Sequence, residues 1–214
     1  MTENTRKIAV LTGDIVGSTA LGAEKLERAM AALAECAEVQ ADWHGESLRF
    51  TRNRGDGWQV VLARPEMALR SALAFRAALR AEGSEFDSYL AIAVADTHIA
   101  IADDLNAETG AAFVHSGAHL DWMKTEAGTP RIFIYPETSA TAAAILADHV
   151  SQNWTPPQAN AMRIMLAPND QTSYTDVARL LGKSRQAVTK SLEAAGQEPI
   201  LMALGIIEDE IANV

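Results

Sequence analysis

The chain has 214 residues, of which 48% are hydrophobic and 21% charged, and these values exclude the disordered and fibrous classes. Its net charge of −10 argues against a general coating of polyanions and leaves room for a local basic patch. The single cysteine, Cys36, excludes an intrachain disulfide. No signal peptide is recognisable, and no apolar run approaches the ~18 residues of a membrane span, so we expect a cytoplasmic protein without a membrane partner.

The first part of the chain alternates strand and helix patterns. Short apolar runs predict strands, and alanine-rich segments with apolar residues at helical spacing predict helices. In chain order we expect a strand at 8–11, a helix at 20–43, strands at 48–51 and 58–63, a helix at 65–82, a strand at 89–94, a helix at 110–123, a strand at 131–135 and a helix at 138–150. Two split β-α-β units of this kind predict an α+β fold of the ferredoxin-like type.

The composition changes near residue 155, where the segment NWTPPQ carries two adjacent prolines. Beyond it, helical spacing predicts four short helices at 156–166, 175–181, 184–195 and 199–212, and no strand pattern is evident. We therefore expect a first domain at 1–152 and a small all-α domain at 153–214.

Two acidic turns stand out in the first part. Asp14, in LTGDIVGST, is expected just past the first strand, and Asp56, in RGDGW, at the tip of a hairpin. The first strand of such a sheet lies beside the hairpin, so the two carboxylates could meet and hold magnesium. The main-chain amides of Gly17, Ser18 and Thr19, at a helix start, could cradle phosphates. The alternative is that both aspartates serve only as turn residues.

A basic cluster adjoins the second turn. It consists of Arg49, Arg52 and Arg54. These arginines could contact phosphate, or they could simply be solvated side chains on one face of a strand.

The segments LTGDIVGSTAL and GDGWQVVLARPEMALRSALAFRAAL resemble the catalytic domain of class III nucleotide cyclases over about residues 6–135, and the sequence is still closer to the SatD family of bacterial proteins. The resemblance implies that Asp14 and Asp56, with the carbonyl of Ile15, bind magnesium or manganese. It places Arg52 where cyclases carry a base-reading lysine. It also implies a homodimer, because cyclase sites lie between two copies.

The segment HSGAHL departs from the cyclase pattern. Cyclases carry an asparagine there and, four residues later, an arginine that stabilises the transition state; His115 and His119 occupy these positions. A largely neutral histidine does not replace a bidentate, permanently charged arginine at a triphosphate. The pair could also bind zinc, or could simply be surface or half-buried histidines.

Residues 175–195, TDVARLLGKSRQAVTKSLEAA, show two helices joined by a turn that contains glycine. This pattern resembles the DNA-binding helix-turn-helix of many bacterial regulators. Ser184 is predicted to cap the second helix, and the outward residues that could read base edges or hold phosphates are Arg185, Gln186, Thr189 and Lys190. A plain helical bundle, or an element that contacts protein, is the alternative.

Two functions follow from these patterns. The first is a DNA-binding transcriptional regulator whose first domain binds a nucleotide with magnesium or mediates dimerisation, without cyclase activity. The second is an active magnesium-dependent cyclase that forms a cyclic nucleotide from a nucleoside triphosphate. We favour the regulator because the histidines replace the expected catalytic residues and because the helix-turn-helix pattern is present. A purely structural dimer would leave both motifs unused.

Overall fold

The computed structural model describes residues 5–53, 55–98, 100–168 and 172–213. Within these ranges one sheet contains five strands: β1 (Arg6–Ile15), β2 (Arg49–Asn53), β3 (Gly57–Leu62), β4 (Ser88–Thr97) and β5 (Ile132–Tyr135). They lie in the order β2-β3-β1-β4-β5, and each neighbouring pair is antiparallel except β4 and β5. The predicted mixed α/β architecture is confirmed, and β1 lies beside the hairpin of β2 and β3.

Nine helices occur in the same described ranges. They are α1 (Ser18–Leu21), α2 (Ala23–His44), α3 (Ala68–Glu82), α4 (Ala111–Thr125), α5 (Ser139–Ser151), α6 (Pro156–Met165), α7 (Tyr174–Leu181), α8 (Arg185–Ala194) and α9 (Gln197–Ala212). The helix predicted over 20–43 is divided at Gly22, whose φ of 78° lies outside the helical region. The segment predicted as a helix from residue 65 begins instead with a 3₁₀ turn at Pro65–Met67.

Alternation along β1 directs its side chains to two different core clusters. Ala9, Leu11 and Ile15 face the larger core, which lies among α2, α3, α5 and the C-terminal helices. Ile8 and Val10 face a smaller core that contains residues of α4. Successive side chains of a strand point to opposite faces of the sheet, so the even-numbered residues of β1 look towards α4.

The C-terminal helices pack on the first part of the chain. Trp154 is buried, and its Nε1 donates to the carbonyl of Ala195 at 2.8 Å. Arg70 of α3 bonds Glu208 of α9 through two nitrogens at 2.6 and 2.8 Å. The larger core therefore continues across the predicted boundary at residue 152. No helix in the described ranges is both long enough and apolar enough to cross a membrane.

A buried histidine joins the end of α2 to α3. The side chain of His44 bonds the hydroxyl of Ser71 through Nε2 at 3.0 Å, and its Nδ1 accepts from the amide of Arg64 at 3.3 Å. The Nδ1 contact requires an unprotonated acceptor, so the neutral ring fits the site. Burial, with a smaller contribution from the Arg64 charge, lowers the pKa of His44 to about 4.

This histidine makes stability depend on pH. The unfolded chain takes up a proton near pH 6.5, whereas the folded chain does so only near pH 4. Stability therefore falls as pH falls through this window, by roughly 3 kcal/mol from this group alone. Urea unfolding at several pH values should show a shallower decline for His44→Gln than for the wild type. The exposed His149 provides the control, since His149→Gln should keep the wild-type slope; equal slopes for all three proteins would contradict the assignment.

Candidate functional site

Asp14 and Asp56 lie at one end of the sheet. Asp14 is opposite Gly57 in the pairing of β1 with β3, and the amide of Ile15 donates to the carbonyl of Asp56 at 3.1 Å. Asp14 lies inside β1, not beyond it as the sequence predicted, because β1 remains paired with β3 as far as Asp14 and with β4 as far as Ile15. The structure thus brings the two acidic segments together.

A close contact between β1 and β3 fixes this end of the sheet. Gly13 lies opposite Trp58, and a Cβ on Gly13 would overlap the Trp58 side chain, so no larger residue fits without a shift. The Trp58 indole donates to the hydroxyl of Ser88 at 3.1 Å, and that hydroxyl donates to the Asp14 carbonyl at 3.0 Å. The main chain at Asp14 is therefore held from both neighbouring strands.

The carboxylate of Asp14 faces α4 and bonds a lysine there. Lys124 Nζ lies 2.9 Å from Asp14 Oδ2, and the Asp14 side chain is only 15% exposed. The hydrogen bond to Asp14 raises the pKa of Lys124, and the charges of Asp56 and Asp121 act in the same direction. Sequence reasoning missed Lys124, because no motif marks it and the contact depends on how α4 lies over β1.

Asp56 bonds the segment that follows β1. The hydroxyl of Ser18 donates to Asp56 Oδ2 at 2.5 Å, so this side chain turns back to the carboxylate and does not cap α1. Helix α1 has only four residues, begins after Gly17 in a left-handed conformation and leaves Thr19 exposed. The structure thus joins Ser18 to Asp14 and Asp56, which we call the acidic pair. Phosphate contact by Gly17, Ser18 and Thr19 stays a prediction.

The chemistry of these groups suits magnesium. The ion prefers oxygen ligands and commonly uses one or two carboxylates, with water or phosphate completing its shell. Asp14, Asp56 and the carbonyl of Ile15 are such donors, although Asp14 is already bonded to a cationic side chain. Among the described residues, no group of three or more His, Cys, Asp or Glu side chains is placed to hold a metal.

The arginines beside the hairpin make contacts within the chain. Arg52 bonds Glu27 of α2 at 2.8 Å and donates to the carbonyl of Gly55 at 2.6 Å. Arg49 lies 3.4 Å from a carboxylate oxygen of Asp103. Arg54 lies outside the described residues. Arg52 therefore lies near the acidic turn as predicted, but its guanidinium is directed to α2.

His115 and His119 pack against aromatic rings of β5. The His115 ring lies 4.4 Å from that of Tyr135, and the His119 ring lies 4.8 Å from Tyr135 and 5.2 Å from Phe133. His119 Nδ1 also lies 2.7 Å from the carbonyl of His115. Both histidines belong to α4, as does Lys124, which bonds Asp14 at 2.9 Å.

A buried network of ion pairs is connected to the end of the sheet that carries Asp14 and Asp56. The guanidinium of Arg76 is fully buried and bonds Asp87 at 3.2 Å and Asp148 at 2.5 Å. Arg131 bonds the other oxygen of Asp87 at 2.6 Å. The carbonyl of Asp87 in turn accepts from the amide of Val16 at 3.0 Å. The network therefore links α3 and α5 to the chain just past Asp14.

A second candidate surface lies on α7 and α8. Gly182, with φ of 60°, ends α7, and the Ser184 hydroxyl accepts from the amide of Ala187 at 3.2 Å at the start of α8. Val188 and Leu192 are buried and fix the inner face of α8 to the larger core. On the outer face Arg185, Gln186 and Lys190 are exposed, and Thr189 is half-buried.

Comparisons with known proteins do not identify a family for this chain. No family model matches the chain, and no curated protein matches it either, so membership of the SatD family stays a prediction. Four chains among the solved structures match. One is a crystal structure of a guanylyl cyclase, with 19% identity and a TM-score of 0.41, covering 68% of this chain and 81% of the cyclase chain.

The buried network gives a stability prediction. Asp148→Ala would leave the buried charge of Arg76 short of one carboxylate, and breaking a buried pair in this way costs roughly 3–5 kcal/mol. Urea denaturation should show a loss of this size. The matched control is Glu82→Ala, which breaks the exposed pair with Arg28 at 2.9 Å and should cost less than about 1 kcal/mol. Equal small losses in both variants would contradict the role given to Asp148.

Proposed function

We propose that the chain is a DNA-binding transcriptional regulator that contacts DNA through α7 and α8. The observation that carries the proposal is the distribution of basic side chains without an ionic partner. Within the described ranges, the basic residues that form no ion pair are Lys7, Arg80, Lys183, Arg185 and Lys190. Arg80 donates instead to three main-chain carbonyls.

Three of those cations therefore lie together at the turn before α8 and along α8. A solvated cation that is free of a carboxylate can neutralise a phosphate without first giving up a salt bridge. In a protein whose net charge is −10, such a concentration marks a surface suited to a polyanion.

The shape of this surface supports the same proposal. In a helix-turn-helix the second helix enters the major groove, and residues of its first turns reach base edges. Arg185 and Gln186 occupy that position on α8, and side chains of these two types pair with guanine and adenine edges respectively. Lys183, Lys190, Ser184 and Thr189 flank them and suit phosphate contacts.

We further propose that the regulator is a homodimer. Large apolar side chains are exposed on two helices that contact each other, with Leu146 of α5 70% exposed and Met202 and Ile206 of α9 63% and 64% exposed. A second copy would cover such side chains, and two-fold pairing would present two α8 helices to DNA.

A second candidate function is a magnesium-dependent nucleotide cyclase, which the meeting of Asp14 and Asp56 favours. In this proposal Asp14, Asp56 and Ile15 hold the metal, which would stabilise charge on the triphosphate. Gly17, Ser18, Thr19 and Arg52 lie on the same end of the sheet and would contact the nucleotide. His115 and His119 would have to supply the transition-state contacts. Formation of a cyclic nucleotide from a triphosphate would favour this candidate, whereas binding without turnover would fit a sensory role in the regulator.

The DNA proposal predicts a specific effect of charge removal on α8. Fluorescence anisotropy with a short labelled duplex of random sequence, titrated at several salt concentrations, measures affinity and its salt dependence. Lys190→Ala and Arg185→Ala should each weaken binding, and Lys190→Ala should reduce the slope of log affinity against log salt by about one.

Lys7→Ala is the matched control for these variants. Lys7 is exposed and unpaired like Lys190 but lies on β1, and its removal changes the net charge equally. It should leave both affinity and slope as in the wild type. If the three variants weaken binding alike, the effect is one of overall charge and the proposed surface is wrong.

A further inference from the structure

We propose that the ammonium group of Lys124 occupies the carboxylate of Asp14 and competes with a divalent metal ion for the acidic pair. The proposal concerns only Asp14, Asp56 and Lys124 and is independent of DNA binding. It follows from one contact: Lys124 Nζ lies 2.9 Å from Asp14 Oδ2, on a carboxylate that would also hold the metal ion.

The charges around Lys124 hold it in place. Besides the hydrogen bond to Asp14, its ammonium group is attracted by the carboxylates of Asp56 and Asp121. With Lys124 present, the acidic pair carries one net negative charge instead of two. A divalent ion that approaches the pair therefore meets a weaker attraction and the repulsion of a nearby positive charge.

The position of Lys124 also allows its ammonium group to move away from Asp14. Its side chain is 41% exposed, and it lies one residue before the end of α4. Lysine has a long flexible stem and an ammonium group that is readily hydrated. The carboxyl end of a helix also favours a positive charge, which gives the displaced ammonium an alternative position at little cost. The acidic pair therefore binds a divalent ion only by exchanging it for the lysine.

Binding of Mn²⁺ measured by electron paramagnetic resonance tests this exchange without any assay of activity. Lys124→Gln removes the charge and keeps a polar side chain of similar length. It should bind Mn²⁺ at least about tenfold more tightly than the wild type. Lys124→Arg keeps the positive charge and should behave as the wild type does.

Two further variants make the test specific. Lys25→Gln breaks an exposed lysine–carboxylate pair of similar geometry, with Glu85 at 2.7 Å, and should leave Mn²⁺ affinity unchanged. Addition of Asp14→Asn to Lys124→Gln should abolish the gain. Circular dichroism establishes that each variant is folded. Equal affinity of the wild type and Lys124→Gln, or no Mn²⁺ binding by either protein, would overturn the proposal.

Discussion

The guanidinium of Arg76 is fully buried between two carboxylates that come from distant parts of the chain. A buried charge is tolerated only when it is paired and hydrogen-bonded, so α3, the residue before β4 and α5 must all be in place for Arg76 to gain both carboxylates, while its Nη2 has no hydrogen-bond partner among the described residues. The same ion pairs help to position the end of the sheet that carries Asp14 and Asp56. The carbonyl of Asp87 bonds Val16, and the adjacent Ser88 connects Trp58 to the main chain of Asp14.

On this support the two faces of the sheet have different tasks. Residues of β1 that face α3 complete the large core, whereas Thr12 and Asp14 face α4 and bond Ser116 and Lys124 respectively. Helix α4 thus contacts the sheet through a hydroxyl pair in its middle and an ion pair near its end. Through that ion pair, α4 places a cationic side chain on the carboxylate of Asp14.

Sequence patterns predicted the strands, the position of β1 beside the hairpin, and most of the helices, because local hydrophobic spacing and turn residues carry that information. They did not predict contacts that depend on packing. Asp148 lies 72 residues from Arg76 in the sequence, and Lys124 follows no motif. The first strand was predicted to end before Asp14, which placed this residue beyond it. Hydrogen bonds from two neighbouring strands extend β1 past Gly13. Ser18 stands at a helix start, where serine often bonds the main chain, but here the Asp56 carboxylate takes its hydroxyl.

In the proposed function α8 recognises DNA, because Val188 and Leu192 fix its inner face and its outer face carries unpaired cations. The most direct test is to select duplexes from a pool of random sequence with the full-length protein and to sequence those that are retained. We expect enrichment of one sequence, present as two half-sites about one helical turn apart. A retained pool as diverse as the starting pool, or no retention at low salt, would contradict it.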